Sequence, residues 1–140
     1  MFKFSKRSLN NLVGVHPDLV KVIKRALEIT DIDFAVTDGL RTASEAAANR
    51  AKGTSYRKRS KHQDGLAVDL TPYANGKLVA GNPEDWPYFN QLSKWMFQAA
   101  EELGIKIEWG GNWKYVIVDG KRKPFKDGYH YQLPDGYPLA

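Results

Sequence analysis

From residue 105 onward the chain breaks into short β-forming runs joined by loops of hairpin length. Residues 105–109, 115–118 and 129–133 read as strands, with Asp119-Gly120 as a tight turn after the second. Parallel neighbours need a crossover of roughly a dozen residues or more, so strands spaced this closely favour antiparallel pairing. Upstream, helices and strands are interspersed. Pro17 suits a first helical position, and Leu19, Val20, Ile23, Ala26 and Leu27 form an apolar stripe that predicts a helix over 17–29. Phe34 and Val36 mark a strand over 33–37. Thr42, with Glu45 three residues on, forms a capping box that opens a second helix over 42–52, stopped by Gly53. Residues 66–70 read as a further short strand. A long helix opens at Asn82, Pro83 and Asp85 and tolerates Pro87 only in its first turn. Its buried face is Phe89, Leu92, Trp95, Met96, Ala99 and Leu103, and Gly104 ends it. The expectation is an α+β fold, a small antiparallel sheet flanked by helices, rather than a doubly wound sheet.

The 140 residues fit one domain, and 42% hydrophobic residues are enough for a core without covalent staples. With no cysteine, a disulfide scaffold, a cysteine zinc finger and a cysteine nucleophile are all excluded. No apolar stretch approaches the roughly 20 residues of a membrane span, so no membrane insertion is expected. Residues 1–14 carry basic groups without a continuous apolar run, so no signal peptide is expected either. The net charge of +5 is unevenly placed: residues 1–61 hold 13 basic and 6 acidic side chains, residues 62–140 hold 8 and 10. The densest basic run is Arg57, Lys58, Arg59 and Lys61. It suits a polyanion (nucleic acid, anionic lipid or cell-wall polymer) or else a plain solvated loop.

Chemistry shows first in residues 66–70. Leu66, Val68 and Leu70 share one face of that strand, and Ala67 and Asp69 the other. A carboxylate within so short an apolar strand needs a partner, because an unpaired buried charge is costly, and a salt bridge is the bland way to supply one. His62 lies seven residues earlier, across a Gln63-Asp64-Gly65 turn that can fold it back beside the strand, and His130 sits in the last strand. His62, Asp69 and His130 are the ligand types of a three-ligand zinc site that keeps its fourth position open. Asp127 stands three residues before His130, and on a regular strand the two would face opposite ways. It is therefore placed in the preceding loop, with Gly128 allowing the bend. There it can act as a general base, or simply serve a Lys-Asp-Gly turn. His16 is read as a helix-start or surface residue.

These residues carry a resemblance. Ser60-Lys61-His62-Gln63-Asp64-Gly65-Leu66-Ala67-Val68-Asp69 matches the S-x-H-x-x-G-x-A-x-D pattern of the zinc D-Ala-D-Ala peptidase family, part of a hedgehog-like superfamily. Asp127-Gly128-Tyr129-His130 resembles that family's second motif, acid-x-x-His. Gly39-Leu40-Arg41-Thr42 resembles the segment that carries an arginine near the active site. Trp109-Gly110-Gly111-Asn112-Trp113 is similar to the Trp-Gly-rich segment before the second motif. The resemblance spans roughly residues 15–133. Within the family, the short length, the opening Phe2-Lys3-Phe4-Ser5 and Asp rather than Glu at 127 are most similar to compact phage endolysins that act as L-alanyl-D-glutamate peptidases. Tyr131-Gln132 stands where the family commonly has an aromatic-Glu pair.

The resemblance implies a hedgehog/D,D-peptidase-like fold and Zn2+ as cofactor, held by His62, Asp69 and His130. Asp127 would take the proton of the attacking water, and Arg41 would stabilise the developing oxyanion or clamp a substrate carboxylate. It implies one catalytic domain over 1–140, without a separate cell-wall-binding domain, cutting bacterial peptidoglycan between L-Ala and D-Glu of the stem peptide. Ser60, Tyr56, Trp109 and Tyr129, together with Tyr73 and Trp113, are candidates to line the substrate groove, with core packing as the alternative for each aromatic. The basic run would sit at the rim of that cleft. Peptidoglycan displaces nucleic acid as the expected partner, and a monomer is the expected state. The expected location is the host cytoplasm until lysis and the cell wall afterwards. Two alternatives stand beside this reading: a D,D-carboxypeptidase or dipeptidase acting on D-Ala-D-Ala, and a non-catalytic, zinc-containing wall-binding module.

Overall fold

The computed structural model describes residues 2–40, 61–124 and 126–138. The expected helix over 42–52, together with Arg41, Tyr56, Ser60 and the basic residues at 57–59, lies outside the described residues. Helix α1 (Lys6–Asn11) is short, and Ser5 caps it by accepting from the Ser8 N–H at 3.2 Å. Helix α2 (Pro17–Ile29) spans the residues its apolar spacing predicts. His16 is its N-cap: Nδ1 accepts from the Asp18 N–H at 3.1 Å, so Nε2 carries the proton and donates to the Pro138 carbonyl at 2.9 Å. Tyr137 packs edge-on to that imidazole and donates its hydroxyl to Asp18, fastening the C-terminal segment over the start of α2. The face of α2 that is buried comprises Leu19, Val22, Ile23, Ala26 and Leu27. Val22 takes the place expected for Val20, which is half-buried.

A 3-10 turn at Pro83–Asp85 leads into helix α3 (Trp86–Leu103). The Asp85 carboxylate accepts from the N–H groups of Gly81 and Asn82, at 3.0 and 3.1 Å, which fixes the entry angle. Gly104, at φ 67°, closes the helix in the left-handed conformation that glycine adopts without strain. Phe89, Leu92, Ser93, Met96, Ala99 and Ala100 are buried. Two expectations for this face change. Leu103 is 42% exposed in the last turn, and Trp95 is half-buried because its Nε1–H reaches out to Asp31 Oδ1 at 2.8 Å.

The main sheet runs β1–β2–β7–β4, and every pairing in it is antiparallel, although its neighbours are joined by long connections rather than hairpin loops. Its strands are β1 (Phe34–Asp38), β2 (Ala67–Ala74), β4 (Glu108–Trp109) and β7 (His130–Gln132). Strand β3 (Lys77–Leu78) folds back on β2, and β5 (Tyr115–Val118) pairs only with β6 (Lys121–Pro124) in a separate hairpin. At that hairpin's turn Asp119 and Gly120 have φ values of 52° and 74°, the left-handed pair that a two-residue turn needs. Strand β2 continues past the expected end at Leu70, through Pro72, whose carbonyl accepts from the Val79 N–H at 3.0 Å. The strands expected over 105–109 and 129–133 shorten to β4 and β7.

Strand β1 is an edge, and α1 covers it. Val36 gives its N–H to Ser8 Oγ at 3.0 Å, and its carbonyl accepts from Asn11 Nδ2 at 2.8 Å. The core joins Val36, Val68, Leu70, Tyr131 and Leu133 of the sheet region to Leu19 and Ile23 of α2 and Leu92 and Met96 of α3. Full burial of each such aliphatic side chain stabilises the fold by roughly 1.5–3 kcal/mol. The opposite side of β2 and β7 carries the polar residues.

Candidate metal centre

Strand register assembles this site. Strand β7 opposes β2 with His130 against Asp69, Tyr131 against Val68 and Gln132 against Ala67. Residues directly opposite one another share a face, so Asp69 and His130 project together while Val68 and Tyr131, both at 0% exposure, enter the core. His130 Nδ1 lies 3.6 Å from Asp69 Oδ1, with both side chains largely buried. On the other flank, β1 is irregular between Val36 and Asp38 and sets Asp38 opposite Asp69. The Thr37 hydroxyl meets the Asp69 carbonyl at 3.3 Å and the Thr71 hydroxyl at 2.9 Å, which ties down the backbone beneath the carboxylate.

Asp127 arrives from the loop before β7. Its N–H donates to the Gly110 carbonyl at 3.1 Å, and its own carbonyl accepts from the His130 N–H at 3.3 Å. Its carboxylate oxygen Oδ1 accepts from the Tyr129 N–H at 3.1 Å, a local turn that aims the side chain. Glycine at 110 makes this approach possible, because a Cβ there would overlap the Asp127 carbonyl and stand 3.1 Å from the Asp127 Cβ. Gly128 is needed for space rather than for a bend. Its φ is not positive, and a Cβ would sit 3.0 Å from the Phe89 ring and 3.3 Å from the Trp86 ring.

Asp69, Asp127 and His130 thereby offer one ligand atom each within 4.8 Å of one another. Two carboxylate oxygens and an imidazole nitrogen, all half-buried, form a donor set that fits a divalent metal, zinc among those it suits. Asp127, expected as a base, is close enough to Asp69 and His130 to belong to the same cluster. His62 lies by its backbone in a 3-10 turn at Lys61–Asp64, immediately before β2, and its side chain is outside the described residues. Gly65, at φ 71°, turns the chain from there into the strand.

The aromatic expectations divide. Trp109 does not line a groove: it is 6% exposed, stacked on Tyr131 at 6.2 Å, and donates Nε1–H to the Gly128 carbonyl at 2.9 Å. It is a strut beneath the Asp127 loop. Tyr129 is half-buried, edge-on to Phe89 at 4.8 Å, with its hydroxyl against Gly81. Burial pushes its phenol up from the ordinary range, and the nearby Asp127, Asp85 and Asp69 push the same way. Trp113 reaches the site, half-buried, with its ring 5.0 Å from that of His130. Tyr73 is half-buried at the far end of β2, paired with Leu78. Lys61, counted in the basic run, is buried and gives Nζ–H to the Leu133 carbonyl at 3.0 Å and to Asp135 at 2.9 Å. It anchors the C-terminal segment instead of presenting charge to a polyanion.

Two further residues surround His130: Gln132, which the sequence marks only as a departure from the family's aromatic-Glu pair, and Glu108, which it does not mark. Gln132, 3% exposed, puts Oε1 2.7 Å from His130 Nε2, and its amide nitrogen donates to Glu108 Oε1 at 2.8 Å. The available signal was position: two residues beyond a strand ligand lies the same face, and β4 sets Glu108 opposite Gln132.

Comparison with known proteins gives the same family at the level of sequence and of fold. The family model for phage L-alanyl-D-glutamate peptidase matches residues 1–133. The L-alanyl-D-glutamate peptidase of Escherichia phage T5 is 44% identical over 137 residues, covering 94% of this chain and 98% of that protein. A Listeria phage protein of the same name is 35% identical over 119 residues, which are 81% of this chain and 39% of that protein. The crystal structure of a Serratia marcescens L-Ala D-Glu endopeptidase superposes with a TM-score of 0.79 at 38% identity, covering 95% of this chain and 90% of that one.

Proposed function

The chain belongs to the phage L-alanyl-D-glutamate peptidase family, and from that premise we propose that it is a zinc-dependent endopeptidase cutting the L-Ala–D-Glu bond of peptidoglycan stem peptides. The observation that carries this reading is the convergence of Asp69, Asp127 and His130 within 4.8 Å at the end of the sheet. In this reading Asp69, His130 and His62 hold the metal. Zinc, when bound there, would supply a Lewis acid for the scissile carbonyl and would lower the pKa of water toward neutrality.

The remaining chemistry belongs to the chain. The oxygen of the attacking water forms a bond to the amide carbon while its proton passes to the Asp127 carboxylate. The Tyr129 N–H on Asp127 Oδ1 keeps that carboxylate aimed through the step. Asp127 then hands the proton to the departing amide nitrogen of D-Glu, and the carbon–nitrogen bond breaks. Arg41 provides positive charge for the oxyanion or for a substrate carboxylate. Trp113 shields the His130 side of the site from bulk water.

Digestion of purified peptidoglycan with and without a chelator, followed by fragment masses, tests this reading. Fragments with a new N-terminal D-Glu, lost on chelation and restored by Zn2+, are expected. Released D-Ala would move the activity to D,D-cleavage, and chelator-insensitive cutting would overturn the metal mechanism. An Asp127→Ala protein is expected to lose lysis while keeping its fold; full lysis would remove Asp127 as the base.

A further inference from the structure

We propose that Glu108 and Gln132 form a positioning pair that fixes the tautomer of His130, holding the proton on Nε2 and the lone pair on Nδ1, toward Asp69. The register places all three on one face: Gln132 lies two residues beyond His130 on β7, and Glu108 opposes Gln132 on β4. Gln132 is 3% exposed, so both ends of its amide must find partners within the protein. Glu108 decides which end goes where. A carboxylate offers only acceptors, so the Gln132 NH2 must face Glu108 Oε1, 2.8 Å away. That leaves Gln132 Oε1 at 2.7 Å from His130 Nε2. An amide oxygen has no hydrogen to give, so Nε2 is the donor. A neutral imidazole carries one proton, and the other nitrogen then keeps its lone pair. That nitrogen is Nδ1, 3.6 Å from Asp69 Oδ1 and on the side of the carboxylate cluster.

The buried amide transmits the orientation of a half-exposed carboxylate to a ligand nitrogen it does not touch. Glutamine at 132 would on its own be ambiguous, since its amide can turn end for end. With Glu108 beside it, one orientation remains. The consequence for metal binding rests on the zinc reading above, whereas the tautomer is a property of the metal-free chain.

The test is 15N–1H correlation NMR of the His130 ring in metal-free protein, whose ring nitrogen signals report which nitrogen carries the proton. Zinc affinity is then measured by competition with a chromophoric chelator. Wild type is expected to show Nε2–H and an unprotonated Nδ1. In Glu108→Lys a donor replaces the acceptor, so the amide is expected to turn its oxygen toward the lysine and its NH2 toward the imidazole. The His130 proton then moves to Nδ1, and zinc binding weakens by about 10- to 100-fold, the usual cost of losing an outer partner. In Gln132→Met the Nε2–H preference is expected to fall to a mixture of tautomers. An Nε2–H tautomer retained in both variants overturns the proposal, even if zinc binding weakens through the added charge alone. Wild type that shows Nε2–H but does not bind zinc defeats the metal reading and leaves the positioning pair standing.

Discussion

Gly110→Ala tests how the Asp127 carboxylate is delivered. An ideal Cβ at 110 would lie 2.3 Å from the Asp127 carbonyl oxygen and 3.1 Å from the Asp127 Cβ. Carbon and oxygen in contact prefer about 3.5 Å, so the two segments must separate by roughly 1 Å. Both are backbone, and no side-chain rotation relieves the overlap. Gly110 does not use a positive φ, so alanine introduces no dihedral strain and the effect is purely steric. Overpacking of this kind costs about 1–3 kcal/mol, or roughly 3–12 °C of melting temperature for a domain of this size. The larger effect falls on chemistry. A displacement of about 1 Å in a reacting group costs on the order of 100-fold in rate, equivalent to about 2.7 kcal/mol of barrier. Initial rates of stem-peptide release, read beside thermal melts, separate the two effects: kcat/KM should fall about 100-fold in protein still folded at the assay temperature. Wild-type kcat/KM in Gly110→Ala would refute the claim that this contact sets the position of Asp127.

Three further outcomes follow from other parts of the chain. Replacing the N-cap in His16→Ala should lower stability by about 1 kcal/mol or more, and His16→Asn should recover the cap but not the ring's bond to Pro138 or its contact with Tyr137, falling between the two in denaturant melts. The Tyr131 hydroxyl is buried with no hydrogen-bond partner among the described residues, so Tyr131→Phe should leave the melting temperature unchanged or raise it. A clear drop there would show that the hydroxyl has found a partner. Asp31 is held below the usual carboxylate range by hydrogen bonds from Gln91 and then Trp95, so the unfolded chain binds its proton more readily. Its contribution is present above the unfolded pKa and is lost as the pH falls through the lower folded value. Asp31→Asn should therefore flatten the acid limb of stability below about pH 4 in urea titrations, and an unchanged limb would argue against it.

The sequence was most legible where local signals and burial agree. Pro17 and an apolar stripe specify α2 without help from the rest of the chain, and Gly104 does the same for the end of α3. Asp69 and His130 stood out because their residue types contradict the strands that carry them, and the sheet pairs the two directly. Other features depend on tertiary partners. Helix α1 has only six residues and is held by what Ser8 and Asn11 do for the edge of β1. Strand β2 runs through Pro72, which reads as a breaker until β1 and β3 lie on either side of it. Trp109 stayed open for the same reason: a tryptophan beside a glycine pair suits a groove or a core, and only the Gly128 carbonyl and the Tyr131 ring decide for the core. Glu108 was invisible, and Gln132 visible only as a departure from the family pattern, because their role depends on which residues register sets opposite each other.

That dependence on register gives the buried residues between the polar ones a direct part in the chemistry. His130 and Gln132 bracket Tyr131 on β7, as Ala67 and Asp69 bracket Val68 on β2. A slip of β7 by one residue would turn Tyr131 outward and drive His130 and Gln132 into the core. Exposing a ring of roughly 200 Å² forfeits about 5 kcal/mol at 25 cal/mol per Å², while the two polar side chains would lose their partners in the same move. The unmatched hydroxyl of Tyr131 offsets some of that, about 1–3 kcal/mol, and the register still wins. Trp109, stacked on Tyr131 from β4, extends the lock to the strand that carries Glu108. The aromatic layer beneath the sheet and the polar chain above it are thus two faces of one alignment. A core substitution that loosens Tyr131 should disturb the alignment of Asp69 with His130, read from the His130 ring signals, before it unfolds the chain.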